Sequence, residues 1–597
     1  MKQFFGAFFG SILGLLITGV IMALIIGGFI AAGLKGAFEG GGQKTFTVKK
    51  NSVLHLKIDG PITERGMDNP FEELNLGPFM PEAVLGVRSI VKSIEHAKTD
   101  ENIKGIYLEV KNIQTGFASI EEIRNALIDF RKSKKFIYAY GEAFSQKEYY
   151  LSSIATKLYL NPQGGMEFKG LSAQLMFFKN MLEKLNIEMQ IFRHGKFKSA
   201  IEPFMLDKMS EANRLQTETY MNSIWNSMLE GISKERGVSI DKLNELANNL
   251  TIESPESALN AKLVDGLLYQ DEVMELLKKD LGLKEKDKIA FADISKYQKN
   301  ARPSMKDKKL FGKQPKIALI YAVGQIQSGE GDEETIGSDR IAKAIRDARM
   351  DSSVKAIVLR VNSPGGSALA SDVIWREMTL AKKVKPTVVS MGDVAASGGY
   401  YISCAADRIY AQPNTITGSI GVFGILPNAQ KAFTEKLGIT IDTVNTNKHS
   451  DVGTPFRPVT KDEFAYIQNS VEKVYETFIG RVAEGRKTTT AMVDSIGQGR
   501  VWSGADALKI NLVDEIGGTN DAINYAAKMA KVTDYKIEEM PKRKDPFSMF
   551  LNNKEDEMET RLIKKNLGSQ YLFLQHIQNL MNLKGVQARL PYELIIN

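Results

Sequence analysis

Short runs of aliphatic and β-branched residues alternate along the chain with longer segments in which apolar residues recur at helical spacing. The runs IKGIYLEV (103–110) and VKAIVLRV (354–361) are typical of buried strands, whereas IEEIRNALIDFRK (120–132) and ALASDVIWREMTLAKK (368–383) are typical of amphipathic helices. Strands that alternate with such helices form βα units around a mostly parallel sheet. The pattern predicts an α/β fold.

The amino-terminal segment has a different pattern. No charged residue occurs in Phe4–Leu34, and this mostly apolar stretch exceeds the roughly 20 residues that a helix needs to cross a bilayer. A cleaved signal peptide is the alternative, but its apolar stretch is usually only about 7–15 residues long. We therefore expect an N-terminal transmembrane helix within residues 1–45. Lysines flank it on both sides, at Lys2 and from Lys35 onward, so the charge pattern leaves its orientation open.

The rest of the chain contains an internal repeat. Residues 101–170 align without gaps to residues 352–421, at a constant offset of 251 positions. We therefore expect two tandem copies of one α/β domain, at 46–300 and 317–540. The basic segment 301–316 is the expected linker between them.

The carboxyl-terminal tail, 541–597, has a pattern of its own. Its stretch 554–583 mixes charged residues with Leu, Ile and Phe at helical spacing. It predicts an amphipathic helix that packs on a domain or on a neighbouring subunit.

Composition and charge argue against several classes of function. The 78 basic and 71 acidic residues give a net charge of +7, but the lysines are spread along the chain, which argues against a nucleic-acid partner. The single cysteine, Cys404, excludes an intrachain disulfide and a Cys-only zinc site. The sequence has no Walker loop, no HExxH motif and no GxGxxG motif after a strand, so we expect neither a metal nor another cofactor.

Candidate chemistry is found where the two copies differ. In the second copy, KPTVVSMGDVAASGGYYIS (385–403) predicts a buried strand, a tight turn and a helix that begins near Ser397. Backbone N–H groups at such a helix start stabilise an oxyanion next to the serine hydroxyl. The first copy has Gln146 at the equivalent position, and a glutamine cannot act as a nucleophile. We expect Ser397 to be the nucleophile.

The first copy keeps a base that the second copy lacks. HGKFKSAIEPF (194–204) aligns to TNKHSDVGTPF (446–456), so that Lys198 corresponds to Ser450. A lysine accepts the proton of a serine only if burial lowers the lysine pKa enough to leave the amine uncharged. We therefore expect a buried Lys198 to act on Ser397 as general base in one composite site.

Other candidate bases stay open at this point. Lys196 would share a face with Lys198 in an extended segment. His194 and His449 lie near the lysine segment in the alignment, and a histidine is the usual base for a serine nucleophile. The sequence also leaves open whether Ser397 and its base meet within one chain or between neighbouring chains.

A glycine-rich turn predicts a further part of an acyl-transfer site. NSPGGS (362–367) directly follows a predicted strand, and we expect the amides of Gly365, Gly366 and Gly398 to form an oxyanion hole. A tight βα turn without a catalytic role is the alternative. The first copy has NIQTG (112–116) instead, so this turn is degraded in the same copy that has lost the serine.

The segment TGSIGV (417–422) adds one more candidate. The hydroxyl of Ser419 either hydrogen-bonds the Lys198 amine and orients it, or caps a helix or turn. We include Ser419 among the site residues as the lysine-orienting group.

These motifs resemble those of the signal peptide peptidase A family in its long, tandem-repeat form, also called protease IV. The resemblance covers essentially the whole chain and rests on GDVAASGGYYIS (392–403), NSPGGSALAS (362–371), TGSIGV, GRVWSGADAL (499–508) and FKSAIEPF (197–204). It implies a ClpP/crotonase-like fold in each copy, with the serine and the lysine at the positions named above. It also implies a homotetramer in the bacterial cytoplasmic membrane, with catalytic domains on the periplasmic side, that cleaves signal-peptide fragments.

Two functions of other classes compete with a peptidase. A crotonase-type acyl-CoA enzyme shares the glycine-rich oxyanion turn, but such an enzyme does not explain why one copy keeps the lysine and the other the serine. A membrane scaffold derived from a decayed protease would explain the lost residues in each copy. Labelling by a serine-reactive probe separates these possibilities.

Overall fold

The computed structural model describes residues 14, 17–22, 47–66, 84–298, 314–543 and 585–590. The expected anchor and linker lie mostly outside these residues, and the helix expected at 554–583 lies wholly outside them. Within the described ranges, no helix is both long and apolar enough to span a membrane.

The first repeat, described over 47–66 and 84–298, is built on a parallel sheet. Its seven described strands have the order β2-β1-β3-β4-β5-β7, with β8 beside β1, and they pair in parallel. Their bounds are β1 (Ser52–Thr63), β2 (Leu85–Gly86), β3 (Ile103–Gln114), β4 (Phe136–Phe144), β5 (Lys157–Met166), β7 (Gly266–Leu267) and β8 (Phe291–Asp293).

Helices pack on this sheet through apolar faces. The predicted segment 120–132 is part of a helix that buries Ile120, Ile123, Leu127 and Phe130, which recur at helical spacing. The helices of this repeat are α1 (Val87–Thr99), α2 (Phe117–Arg131), α3 (Gln146–Ser152), α4 (Lys179–Lys184), α5 (Glu202–Met205), α6 (Glu211–Arg236), α7 (Ile240–Asn248), α8 (Pro255–Asn260), α9 (Gln270–Asp280) and α10 (Ile294–Tyr297). A short 3₁₀ helix, Ser199–Ile201, precedes α5.

The second repeat, residues 314–543, is built on an equivalent sheet. Its described strands have the order β18-β16-β14-β12-β9-β20, and β15 joins β14 to β19. Their bounds are β9 (Lys316–Val323), β12 (Val354–Ser363), β14 (Thr387–Ala396), β15 (Arg408–Ala411), β16 (Ile416–Gly418), β18 (Val501–Ser503), β19 (Glu515–Ile516) and β20 (Lys536–Met540). The helices are α11 (Ser338–Met350), α12 (Ala368–Lys382), α13 (Gly398–Ser403), α14 (Lys461–Arg486), α15 (Thr490–Ile496), α16 (Gly504–Lys509) and α17 (Thr519–Met529), and a π-helix spans Ala432–Lys436.

The bounds of equivalent elements match the alignment of the two copies. Helix α2 begins at Phe117 and α12 at Ala368, and strand β3 begins at Ile103 and β12 at Val354, so both pairs keep the offset of 251. The alternation of strands and helices predicted from the hydrophobic pattern is therefore present in both repeats.

A third, smaller sheet connects the two repeats. Its strands have the order β11-β10-β13-β21-β17-β6. Their bounds are β6 (Glu188–Arg193), β10 (Gln325–Gln327), β11 (Thr335–Gly337), β13 (Gly365–Ser367), β17 (Phe423–Asn428) and β21 (Gln587–Arg589). Strand β6 of the first repeat pairs antiparallel with β17 of the second, from Arg193 opposite Phe423 to Glu188 opposite Asn428. This pairing brings the chain that follows β6 to the second repeat.

Buried and partly buried polar contacts also join the two repeats beside β14. The Asp393 carboxylate accepts hydrogen bonds from the Ser119 amide at 2.8 Å, the Ser119 hydroxyl at 2.7 Å and the Gly116 amide at 3.2 Å. Nearby, the Arg360 guanidinium pairs with the Glu64 carboxylate at 2.7 Å, and both side chains are almost fully buried. A buried ion pair of this kind is costly to break by removing one partner. The strand that carries the expected nucleophile is therefore held against the first repeat.

Candidate active site

Ser397 lies at the sharp turn between β14 and α13. Its backbone has a φ of 55° and a ψ of −114°, a conformation that residues with a side chain rarely adopt. The Ser397 amide donates to the Gly418 carbonyl oxygen at 2.8 Å, which holds the turn against β16. A methyl group on Gly399 would lie 2.7 Å from the Ser363 carbonyl oxygen, so the next turn of the chain has no room for a larger residue. The strand, turn and helix predicted for 385–403 are all present.

Lys198 reaches this turn from the first repeat. After β6, the chain is held by a hydrogen bond of 3.0 Å from the Phe197 amide to the Gln498 carbonyl oxygen. Gly499 lies against the lysine backbone, with a φ of 84°, and a methyl group there would come within 2.6 Å of the Lys198 Cα atom. The Lys198 side chain is fully buried.

The lysine amine and the serine hydroxyl are in hydrogen-bond contact. Lys198 Nζ lies 2.9 Å from Ser397 Oγ. The amine also donates to the Ser419 carbonyl oxygen at 3.2 Å and to the Ser419 hydroxyl oxygen at 3.1 Å. An uncharged amine has two N–H donors and one lone pair. If Ser419 accepts both N–H groups, the lone pair is left to face the Ser397 hydroxyl.

Burial favours the uncharged form of the Lys198 amine. It lowers the pKa of Lys198 well below the usual 10.5, because the ammonium form loses its hydration in the interior. A lysine whose pKa is lowered in this way is uncharged over a wider range of pH and can accept a proton.

Gln216, on α6, fixes the backbone on both sides of Lys198. Its Nε2 atom donates to the Phe197 carbonyl oxygen at 3.1 Å and to the Ser199 hydroxyl oxygen at 2.9 Å. Its Oε1 atom accepts from the Val501 amide, the first residue of β18, at 3.2 Å. The side chain is fully buried. Sequence reasoning missed Gln216, because a glutamine on a helix is ordinarily a surface residue and no motif marks it.

The glycine turn after β12 lies beside the turn that carries Ser397. A methyl group on Gly398 would lie 3.1 Å from the Gly365 Cα atom. Gly365 and Gly366 have φ angles of 98° and 155°, which favour glycine. The Gly365 amide donates to the Ser363 hydroxyl oxygen at 3.1 Å, so that amide already has an acceptor within its own turn. The role of the Gly365, Gly366 and Gly398 amides as oxyanion donors stays a prediction.

In the first repeat, the position equivalent to Ser397 is occupied by Gln146, whose side chain makes structural hydrogen bonds. Gln146 Oε1 accepts hydrogen bonds of 2.8 Å from the amides of Lys169 and Gly170, and Gln146 Nε2 donates to the Gly170 carbonyl oxygen at 2.9 Å. Gly170 corresponds to Gly421 in the repeat alignment, and the Gly421 carbonyl oxygen lies 3.4 Å from Ser397 Oγ. Gln146 and Ser397 therefore contact equivalent loops, one in each repeat.

The other candidate bases contact other groups. Lys196 is exposed. The His194 ring pairs with the Glu472 carboxylate, and the His449 ring lies 2.9 Å from the Glu463 carboxylate.

Comparisons with known proteins agree with the repeat and the motifs. The family model for peptidase family S49 matches residues 129–284 and 379–533, one match in each repeat. A second family model, for Clp protease, matches residues 321–417. These matches fit the α/β architecture and support ClpP-like domains.

Three relatives extend over most of the chain. "Protease 4" of Salmonella typhi is 40% identical over 75% of this chain and 73% of its own length. "Protease 4" of Haemophilus influenzae is 34% identical over 84% of each chain. "Serine protease SPPA, chloroplastic" of Arabidopsis thaliana is 33% identical over 81% of this chain and 70% of its own length. Because family models match both repeats and named serine proteases cover most of the sequence, the chain belongs to peptidase family S49 and is a serine peptidase.

Proposed function

We propose that this peptidase is an endopeptidase with a Ser-Lys dyad that degrades cleaved signal peptides and other short apolar peptides. Ser397 is the nucleophile and Lys198 its general base. The observation that carries the assignment is the distance of 2.9 Å between Lys198 Nζ and Ser397 Oγ, in a site that is fully buried. Burial lowers the lysine pKa, which gives the amine the uncharged form that a base requires.

The reaction proceeds by acyl transfer. The Lys198 amine takes the proton of the Ser397 hydroxyl as the serine oxygen attacks the carbonyl carbon of the peptide. The amides of Gly366 and Gly398 donate to the oxyanion that forms. The Lys198 ammonium then gives its proton to the leaving amine. Water, activated by the same lysine, hydrolyses the acyl-enzyme and restores both groups.

Ser419 and Gln216 position the base. Ser419 contacts the amine through its hydroxyl and its carbonyl oxygen, so the amine keeps one direction in which to meet Ser397. Gln216 holds the backbone of the flanking residues and joins it to β18.

The proposal includes a membrane anchor and an assembly. Residues 1–45 anchor the chain in the bacterial cytoplasmic membrane, 46–300 form the domain that supplies the lysine, and 317–540 the domain that supplies the serine. The linker is 301–316, and the tail 541–597 contributes a helix. The uncharged stretch near the amino terminus and the family resemblance support this arrangement, with the catalytic domains on the periplasmic side and the chain in a homotetramer.

Serine-reactive labelling and peptide hydrolysis test the dyad. The full chain, purified in detergent, is treated with a fluorophosphonate probe and assayed with a fluorogenic apolar peptide. Labelling and hydrolysis are expected to be lost in Ser397→Ala and in Lys198→Ala. Ser450→Ala and Lys196→Ala are matched controls, because both residues are exposed and both changes should be silent. Full hydrolysis by either Ser397→Ala or Lys198→Ala contradicts the assignment.

The same assays separate the competing functions. A scaffold would show neither labelling nor hydrolysis in the unmodified chain. A crotonase-type enzyme would convert an acyl-CoA thioester and leave the peptide intact.

A further inference from the structure

Strand β14 carries a bulge just before the turn that holds the proposed nucleophile. In the pairing with β12, Val361 is the partner of Met391 and Ser363 is the partner of Ala395, so two steps along β12 correspond to four along β14. The residues 392–394 therefore leave the regular ladder. Bulges of this kind re-aim the residues that follow them and are common beside active sites. Whatever holds 392–394 in place helps to set the position of the serine.

The bulge is held partly by the first repeat. The Val394 amide donates to Asn362 Oδ1 at 3.0 Å, and Asn362 Nδ2 donates to the Glu64 carboxylate at 3.0 Å. The Gly392 carbonyl oxygen accepts from the Thr415 hydroxyl at 2.8 Å, a contact within the second repeat. Since Glu64 belongs to the first repeat, the path through Asn362 joins that repeat to the backbone of the bulge.

Asp393, in the middle of the bulge, caps a helix of the first repeat. Helix α2 begins after Gly116, which has no side chain to cap the helix. The Asp393 carboxylate instead accepts from the Gly116 amide at 3.2 Å, the Ser119 amide at 2.8 Å and the Ser119 hydroxyl at 2.7 Å. A carboxylate at this place satisfies N–H groups that have no partner within the helix, and it interacts favourably with the helix dipole.

The turn that Asp393 caps is the degraded counterpart of the glycine turn, because residues 112–116 correspond to 363–367. Lys147, which corresponds to Gly398, donates to the Thr115 carbonyl oxygen at 3.3 Å and interacts electrostatically with the capping carboxylate. The first repeat thus presents N–H groups and a basic side chain to β14, at the place where the second repeat is expected to present N–H groups to a substrate.

Helix α2 is anchored to the second repeat at a further point. Glu122 Oε1 accepts from the Thr519 amide at 2.8 Å, and Glu122 Oε2 lies 2.9 Å from Arg360 Nη2. Loss of the Asp393 contact alone should therefore leave the two repeats docked. The effect of that loss can be measured on the serine turn itself.

We propose that Asp393 is a positioning residue: by capping α2 across the boundary between the repeats, it holds the bulge of β14 in the shape that places the Ser397 hydroxyl against Lys198. Ser397 has a φ of 55°, and a residue keeps such a strained conformation only where its surroundings fix it. The inference rests on the proposed function, because it takes Ser397 to be the nucleophile. The first repeat then acts on both members of the dyad, since it supplies the lysine and holds the strand of the serine.

The rate of labelling by the fluorophosphonate probe tests the inference in the full chain. In Asp393→Ala the rate constant is expected to fall by at least about tenfold, since a displacement of a reacting group by about 1 Å costs up to about 10²-fold. The fraction of chains labelled at completion should stay unchanged. For the fluorogenic peptide, kcat should fall and KM should change little. Glu142→Ala is the matched control, because Glu142 is the equivalent residue of the first repeat and is exposed.

A second variant changes the contact from the side of α2. A methyl group on Gly116 would overlap the Asp393 carboxylate, and the backbone φ of −78° at Gly116 is one that alanine adopts freely. In Gly116→Ala we expect the labelling rate constant to fall by at least about threefold. In the Asp393→Ala/Gly116→Ala chain most of the overlap is gone, so the fall should be smaller than the product of the two single effects. A fall equal to that product would show independent action and overturn the inference.

Rate and labelled fraction separate positioning from loss of folded protein. In Asp393→Ala, a lower labelled fraction at an unmodified rate constant would mean that the contact only stabilises the fold, and this result overturns the inference. Full labelling at an unmodified rate constant also overturns it. If Asp393→Ala does not fold, Gly116→Ala decides, and an unmodified rate constant there overturns the inference.

The Ser397→Ala chain separates failure of this inference from failure of the proposed function. If Ser397→Ala is still labelled, the nucleophile lies elsewhere, and the proposed function fails together with the inference. If labelling is lost in Ser397→Ala while Asp393→Ala reacts at the unmodified rate, the proposed function stands and the positioning role of Asp393 is refuted.

Discussion

Lys198 Nζ lies 2.9 Å from Ser397 Oγ, although 199 positions separate the two residues and each lies in a different copy of a repeated domain. The contact depends on the antiparallel pairing of β6 with β17, which carries the lysine segment from the first repeat to the second. Gln146 occupies the place of the serine in the first repeat and Ser450 that of the lysine in the second, so the proposed dyad needs both repeats.

Replacement of Lys198 by a cation that keeps its proton should slow the reaction strongly. In Lys198→Arg the guanidinium can still donate hydrogen bonds, but it does not give up its proton near neutral pH. We expect kcat/KM for an apolar peptide to fall by about 10²–10⁴-fold, the usual contribution of a general base. Lys196→Arg is the control at an exposed site. Activity of Lys198→Arg near that of the control would exclude Lys198 as the base.

The rate should increase with pH through the titration of Lys198. Because burial lowers the pKa of this amine, the uncharged form accumulates well below pH 10.5. The rate of labelling by the fluorophosphonate should therefore rise with pH as one proton is lost, and it should level off well before 10.5. A rate that keeps rising up to the ordinary lysine pKa would mean that the amine is hydrated.

Burial of the same lysine should also make stability depend on pH. In the unfolded chain the amine keeps its proton up to about 10.5, whereas the folded chain holds it uncharged from a lower pH upward. At any pH between the lowered folded-state pKa of Lys198 and 10.5, folding therefore releases a proton. In that pH window the free energy of unfolding rises by about 1.4 kcal/mol per pH unit.

The variant Lys198→Met isolates this contribution. It should be more stable than the unmodified chain within the window, by a margin that shrinks as the pH approaches 10.5. Urea unfolding at several pH values measures the margin. Lys196→Met, at the exposed lysine, should show no such trend, and a constant margin for Lys198→Met would count against a buried neutral amine.

Gln216 should affect the rate more than the binding of substrate. Gln216→Leu keeps most of the side-chain volume but removes the hydrogen bonds that hold the backbone beside Lys198. A small displacement of the base costs up to about 10²-fold in rate, so kcat should fall while KM changes little. Leu215→Ala, at an exposed neighbour on the same helix, is the control. An increase in KM with an unchanged kcat would place Gln216 in substrate binding instead.

The contact between Gly499 and Lys198 can be tested against a glycine of similar backbone geometry. Gly499 and Gly453 have φ angles of 84° and 87°, but a methyl group at Gly453 would meet open space. Alanine at either position incurs the backbone strain of about 1–2 kcal/mol, whereas Gly499→Ala also pushes on the lysine backbone. We expect kcat/KM to fall only in Gly499→Ala. Equal activity in the two variants would show that the close approach is not needed.

The sequence predicted the parts of the site that depend on local pattern and on comparison of the two copies. The offset of 251 located β12, α12 and β14, because equivalent elements begin at equivalent residues. It also identified Gln146 as the residue in the place of Ser397, and the later alignment at Pro-Phe identified Lys198. The complementary losses in the two copies led us to expect that Lys198 and Ser397 meet, and the two side chains lie 2.9 Å apart.

Long-range pairings and buried polar networks were not predictable in the same way. The partner of β6 lies more than two hundred positions away, and local periodicity carries no information about such a partner. Gln216 acts through backbone groups, which have no side-chain signature. The strand β21 is three residues long and has mixed polarity, so the pattern of the tail did not indicate it. That pattern predicted a helix at 554–583, a range outside the described residues.

The 199 positions that separate Lys198 from Ser397 along the chain have a consequence for biosynthesis. Ribosomes add about 5–20 residues per second, so roughly 10–40 s pass between the synthesis of the lysine and that of the serine. With the proposed dyad, the emerging polypeptide holds a base without its nucleophile during that interval and cannot cut its neighbours. Catalytic competence then arises only when the second half has folded against the first, which ties the onset of proteolysis to completion of the protein.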